Sequence, residues 1–180
     1  KANYTIHLQT YIFDMDATGT IIAEALKNAA KRKVAVYLLV DGYASQSIPK
    51  NEIEAMTSTG IHFRFFEPVF KSKNFYFGRR MHQKIFIVDS LHAIVGGVNI
   101  ANKYNDQLNA AAWLDFALYV EGEIAQDLCF IGWKTWNGFS TKPNIPFPCI
   151  RDKSPKIFTN NESFDERIRR NDWVRHKNEI

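Results

Sequence analysis

Hydrophobic residues along this chain switch between two spacings, the short continuous or alternating run of a strand and the 3.6-residue recurrence of a helix. Residues 4–13 are rich in β-branched and aromatic side chains and predict a buried strand. Asp16 or Thr18 can then cap a helix whose apolar positions Ile21, Ile22, Ala25, Leu26, Ala29 and Ala30 recur at helical spacing. Residues 34–40 predict a second buried strand, closed by the turn dipeptide Asp41-Gly42. Pro49 suits the first turn of a short helix reaching about residue 58, and Gly60 leads into a third strand over 61–66. This β-α-β-α-β order predicts an α/β fold, a mixed, largely parallel sheet flanked by helices on both faces.

The second half reads differently. Residues 70–80 mix aromatics with cations and predict a loop able to touch lipid headgroups or stack on bases, or simply an exposed basic loop. Residues 83–88 and 92–95 predict a hairpin of two core strands, 113–120 a further strand, and 121–139 a helix with aromatics on one side. Residues 141–161 are proline-rich and polar, and 162–180 are dense in charge with little apolar face. The expected division is a lobe over 1–140 and a polar connecting segment over 141–180.

At 180 residues with 46% hydrophobic content, the chain can bury one good core. No apolar run approaches the roughly 20 residues of a membrane-spanning helix. A net charge of +4 suits anionic partners without choosing between phospholipid and nucleic acid. Cys129 and Cys149 lack any metal-binding spacing and predict two reduced thiols of a cytoplasmic protein.

The chemistry concentrates in Met81-His82-Gln83-Lys84-Ile85-Phe86-Ile87-Val88-Asp89. Positions two apart on a strand project from one face, so His82 and Lys84 are expected to share a space. A ring nitrogen to attack phosphorus beside a fixed ammonium to hold phosphoryl oxygens suits a phosphate ester. As attacking group His82 must be uncharged at rest, and a neighbouring ammonium favours that form. A lone strand histidine would more often be a satisfied core residue; an inward lysine beside it shifts the balance, because burying that charge without use is costly.

His-x-Lys-x4-Asp followed by Gly96-Gly97-Val98-Asn99 resembles the signature of the phospholipase D superfamily, whose members make and break phosphodiesters through a phosphohistidine. The resemblance covers roughly residues 3–140 and is strongest to the first lobe of bacterial cardiolipin synthases. It implies a phospholipase D/nuclease-like fold, with His82 as nucleophile and Lys84, Gly97 and Asn99 around the phosphate. Asp115, in the run Trp113-Leu114-Asp115 ahead of Gly122, resembles the acidic residue that orients the nucleophilic histidine. Asp89 belongs to the motif, but its odd position turns it away from His82 and Lys84. It is expected to form the turn at the strand end, with Gly96 also structural. Tyr11, Asp16 and Gly19 resemble the family's opening segment and are expected to shape the sheet edge and helix start. Arg80 matches a frequent family arginine, whereas Gln83 departs from the arginine common at that position in cardiolipin synthases. His7, His62, His92 and His176 lack a lysine two residues on and are taken as non-catalytic.

The family reaction needs two histidines and this chain has one such motif. A second catalytic lobe in cis is therefore expected, or a second protomer as in the single-motif endonuclease. The absence of an opening methionine and the charged tail agree with a first lobe. The implied activity is phosphatidyl transfer from a phosphatidylglycerol-like phospholipid, with membrane-surface contact at the inner face of the cell membrane and no metal or cofactor. Nuclease or other phosphodiesterase action, with nucleic acid as partner, is the first alternative; a catalytically incomplete binding lobe is the second.

Overall fold

In the computed structural model, which describes residues 1–67, 80–108, 110–138 and 149, six strands form one sheet. The elements run β1 (Thr5–Thr10), α1 (Ala17–Lys31), β2 (Ala35–Asp41), α2 (Lys50–Ser58), β3 (His62–Phe66), β4 (Lys84–Val88), β5 (His92–Gly96), β6 (Ala117–Glu121) and α3 (Glu123–Trp136), with a 3-10 turn at Asn102–Tyr104. Strand order is β3-β2-β1-β4-β5-β6. The sheet is mixed. β1, β2 and β3 are parallel, as their helical crossovers require, while β4 pairs antiparallel with β1 and begins an antiparallel run through β5 to β6.

Alternation along the strands assigns the two faces. Ile6, Leu8, Val36, Leu38 and Val40 pack with Ala23, Leu26 and Met56 of α1 and α2. Tyr37, Leu39, Ile85 and Ile87 pack with Leu128, Trp133 and Trp136 of α3 on the other side. Each such side chain contributes about 1.5–3 kcal/mol over its exposed state, so α3 docks mainly through its inner aromatic stripe. Its Gly132 makes room for the ring of His7, which lies 3.3 Å from where a β-carbon would stand.

Two strand boundaries and the state of the cysteines differ from the sequence reading. The last strand starts at Ala117 rather than at residue 113, because 111–116 cross the end of the sheet before pairing with β5 begins. β1 ends at Thr10, with Phe13 returning only as an isolated bridge to Ile100. Finally, Cys129 and Cys149 are bonded to each other, their α-carbons 5.9 Å apart, which overturns the expectation of two reduced thiols. Residue 149 comes back against the α3 core, a return that sequence spacing does not disclose. The connecting segment expected over 141–180 and the aromatic-cationic loop over 70–79 lie outside the described residues, Cys149 excepted.

Candidate active site

His82 does not lie on the strand. Residues 81–83 are irregular, and β4 begins at Lys84. The expected neighbours nonetheless meet. The Lys84 Nζ donates to the His82 carbonyl at 2.7 Å and lies 3.3 and 3.4 Å from Nδ1 and Nε2 of the ring. His82 is exposed, whereas Lys84 is only 7% exposed. Tyr11 packs beside both, its ring centroid 4.9 Å from that of His82 and 5.4 Å from the lysine nitrogen. Burial holds the Lys84 pKa below the usual lysine value, and the Asp115 carboxylate opposes part of that shift. An ammonium in this position attracts an anion strongly, because little water screens it.

Gly96 and Gly97 carry close approaches, though to the chain itself. A β-carbon on Gly96 would lie 2.2 Å from the Phe116 carbonyl, and one on Gly97 2.0 Å from Asp115 Oδ1. The Asp115 carboxylate thus sits on the Gly97 backbone, and it also accepts the Phe116 N–H at 2.7 Å. Asp115 is exposed and lies ahead of β6, not within an apolar strand. No hydrogen bond joins it to His82 among the described residues; its electrostatic partner is Lys84. Asn99 is buried and occupied: Oδ1 accepts the Ile12 N–H at 3.0 Å, while Nδ2 donates to the Tyr104 hydroxyl at 2.8 Å.

The remaining motif residue serves the scaffold. Asp89 and Ser90 both take left-handed backbone, with φ of +53° and +61°, and are the central residues of the turn from Val88 to Leu91 that joins β4 to β5. The Asp89 carboxylate accepts N–H groups from Asn3, Tyr4 and Thr5, each at 2.8 Å. Burial pushes its pKa up, but these donors and His92 outweigh that and hold it below the ordinary value. Asp16 caps α1 through Gly19 N–H at 3.1 Å and also accepts the Asn102 N–H. Arg80 lies over the Tyr43 ring. His7 is buried, His62 stacks on Tyr37, and His92 bonds the Tyr119 hydroxyl at 2.8 Å at the far end of β5. His176 is outside the described residues. Sequence reasoning passed over Tyr104 and read Asp41 only as part of a turn. Tyr104 gave no signal; for Asp41, a carboxylate ending an apolar buried strand was the available one.

Between α1 and the sheet runs an apolar trough of about 520 Å³, with Leu8, Phe86 and Ile94 on its floor and Leu26 on its wall. Lys84, Asn99 and Tyr104 also line it. Lys84 thus touches both the trough and His82, whose own ring does not line the trough.

Residues 1–117 match the family model described as cardiolipin synthase, PLD-like domain. The chain belongs to that family. Cardiolipin synthase B of Escherichia coli strain K12 is 33% identical over 131 residues, covering 71% of this chain and 32% of the relative. Cardiolipin synthase of Clostridium perfringens strain 13 is 38% identical over 130 residues, covering 71% of this chain and 27% of the relative. The chain thus spans about a third or less of these curated relatives. Among solved structures, NucT from Helicobacter pylori superposes with a TM-score of 0.56 at 21% identity, over 75% of this chain and 80% of that one. Phosphatidylserine synthase of Haemophilus influenzae superposes with a TM-score of 0.57 at 16% identity, over 87% of this chain and 36% of that one. Both share the fold. No described helix of this PLD-like domain is long and apolar enough to cross a membrane.

Proposed function

We propose that this chain is one lobe of a phosphatidyl-transferring enzyme acting on a phosphatidylglycerol-like lipid. The observation that carries the reading is a buried lysine that meets His82 and also lines an apolar trough, an arrangement complementary to an anionic headgroup joined to aliphatic chain. A nucleic-acid backbone offers the same phosphate but gains nothing from that trough.

In this reading a neutral His82 ring nitrogen attacks phosphorus, forming the N–P bond as the P–O bond to the leaving alcohol breaks. Lys84 neutralises the non-bridging oxygens. Asn99 joins them by exchanging its Tyr104 bond for a phosphoryl oxygen. Asp115 acts as counter-charge to Lys84. A second histidine, from another lobe or another copy, protonates the leaving alcohol and then takes the proton of the incoming one as it displaces His82. Residues 141–180 serve as the connection toward that second motif. Contact with the lipid is peripheral. The Cys129–Cys149 bond withdraws the thiol argument for a cytoplasmic setting.

The test is turnover by the full-length protein of phosphatidylglycerol against single- and double-stranded DNA, with acid-quenched trapping of phosphohistidine in wild type and His82→Ala. Lipid turnover with a trapped adduct lost in the variant is the expected outcome. Cleavage of DNA alone would install the nuclease reading, and full activity in His82→Ala would refute the nucleophile.

A further inference from the structure

The imidazole of His82 stands on three irregular residues that the sheet ladder does not hold, yet both flanks of that segment are anchored by buried polar side chains. On one flank is Asp41, fully buried at the end of β2. Its Oδ1 accepts the N–H groups of Tyr43 and Ala44 at 3.0 Å, and its Oδ2 accepts the Met81 N–H at 2.9 Å. On the other flank, the Gln83 amide donates to Gln9 Oε1 and, at 3.1 Å, to the Thr135 hydroxyl of α3. Gln9 is fully buried and is itself fixed by donating to the Gly132 carbonyl at 2.7 Å. Lys84 grips the His82 carbonyl between the two anchors.

We propose that Asp41, Gln9 and Gln83 are positioning residues that clamp the backbone at 81 and 83 and so aim the His82 ring at its target. The inference rests on the reading of His82 as nucleophile. The physical case is economy of buried polarity. A carboxylate in the core must have its oxygens satisfied, and Asp41 satisfies one from a residue 40 positions away that adjoins His82. Likewise the Gln9 carboxamide has an intrahelical carbonyl on one side and Gln83 on the other, which ties the reacting segment to α3. None of the three side chains bonds to the His82 ring among the described residues, so each acts through the chain.

Gln83→Met keeps the length of the side chain and removes its hydrogen bonds; Asp41→Asn removes an acceptor at the other anchor. Loosening either flank should lower kcat for phosphatidylglycerol turnover by the full-length protein about ten- to a hundredfold with KM nearly unchanged, because misplacement of an attacking atom is felt in the transition state. In parallel, proton NMR of this chain should show the contact between the His82 and Tyr11 rings weakened in both variants. Wild-type kcat and an intact ring contact in Gln83→Met would overturn the clamp, even with a lowered melting temperature, since a merely structural role moves only stability. If Asp41→Asn does not fold, Gln83→Met decides. Should wild type turn over no phosphodiester, the functional reading fails by itself, and the ring contact alone decides the clamp.

Discussion

Replacing Asp89 tests whether the aspartate of the His-x-Lys-x4-Asp motif builds the fold rather than the chemistry. Its carboxylate gathers three backbone N–H groups at the start of β1, each at 2.8 Å, and so pins the chain's first strand to the β4–β5 turn. A hydrogen bond to a charged acceptor contributes about 1.5–3 kcal/mol when buried, and solvent around this site reduces that to about 1 kcal/mol each. Asp89→Ala removes all three and leaves a β-carbon-only side chain at φ +53°, which adds about 1 kcal/mol of left-handed strain. The sum is about 4 kcal/mol at pH 7. Asp89→Asn tolerates that backbone and keeps the two bonds to Oδ1, so its expected loss is about 1–2 kcal/mol. Urea unfolding followed by circular dichroism measures both. Because the folded carboxyl sits below its unfolded value of about 3.9, its stabilisation is complete above that value and disappears as pH falls through the folded one. The gap between wild type and Asp89→Ala should therefore narrow in acid. A gap below about 1 kcal/mol at pH 7, or one that does not change with pH, would refute the reasoning.

Three further outcomes follow from other sites. Burial lowers the His7 pKa to about 3, so the unfolded chain takes up a proton below about pH 6.5 that the folded one refuses. At pH 3.5 this costs of the order of 4 kcal/mol, and His7→Phe should flatten that part of the pH–stability curve in equilibrium unfolding. Cys149→Ser opens a loop with a sequence separation of 20. The expected loss is about 3 kcal/mol, or roughly 6–12 °C in melting temperature, and dithiothreitol should reproduce it in wild type only. Gly97→Ala places a β-carbon where Asp115 Oδ1 lies and must displace that carboxylate. Lys84, deprived of the charge that raises its pKa, should titrate below its wild-type value in carbon NMR of its side chain; an unchanged titration would exclude the Asp115–Lys84 coupling.

The three parallel strands and both of their helices were legible because each carries a strong period and a chemical boundary, such as Asp16 before α1 and Pro49 before α2. The Asp89-Ser90 turn was legible from its residue types and from parity counted along the strand from Lys84, although His82 lies ahead of that strand. Features created by tertiary return were not. The strand at 113 failed because Trp113, Leu114 and Phe116 read as core residues, yet all three are exposed and only from Ala117 does β5 supply a partner. The disulfide depends on residue 149 meeting α3 across 20 positions of sequence. The meeting of His82 and Lys84 was legible from spacing, although the reason they meet differs: the lysine folds back on the carbonyl of an irregular segment. The partner of Asp115 was misassigned because pattern gives a residue's presence and not the direction of its carboxylate.

On the proposed reading, with His82 as nucleophile, the geometry also says what this chain can do alone. Once a ring nitrogen of His82 bonds to phosphorus, an alkoxide leaves, and expulsion of an ordinary alkoxide needs a proton. Lys84 is poorly suited to give it, since losing that proton would remove the charge that holds the phosphoryl oxygens. Asp115 is bound to its own neighbour's N–H and faces the lysine. No second His-x-Lys occurs in the sequence. On that reading the acid comes from another motif, and its absence should be selective. A monomeric preparation of this chain should release p-nitrophenol from an activated phosphodiester in a burst that leaves His82 phosphorylated, because that leaving group departs without protonation. It should leave phosphatidylglycerol intact. Equal cleavage of both esters by the monomer would mean that the acid is already within these 180 residues, and the requirement for a second motif would fall.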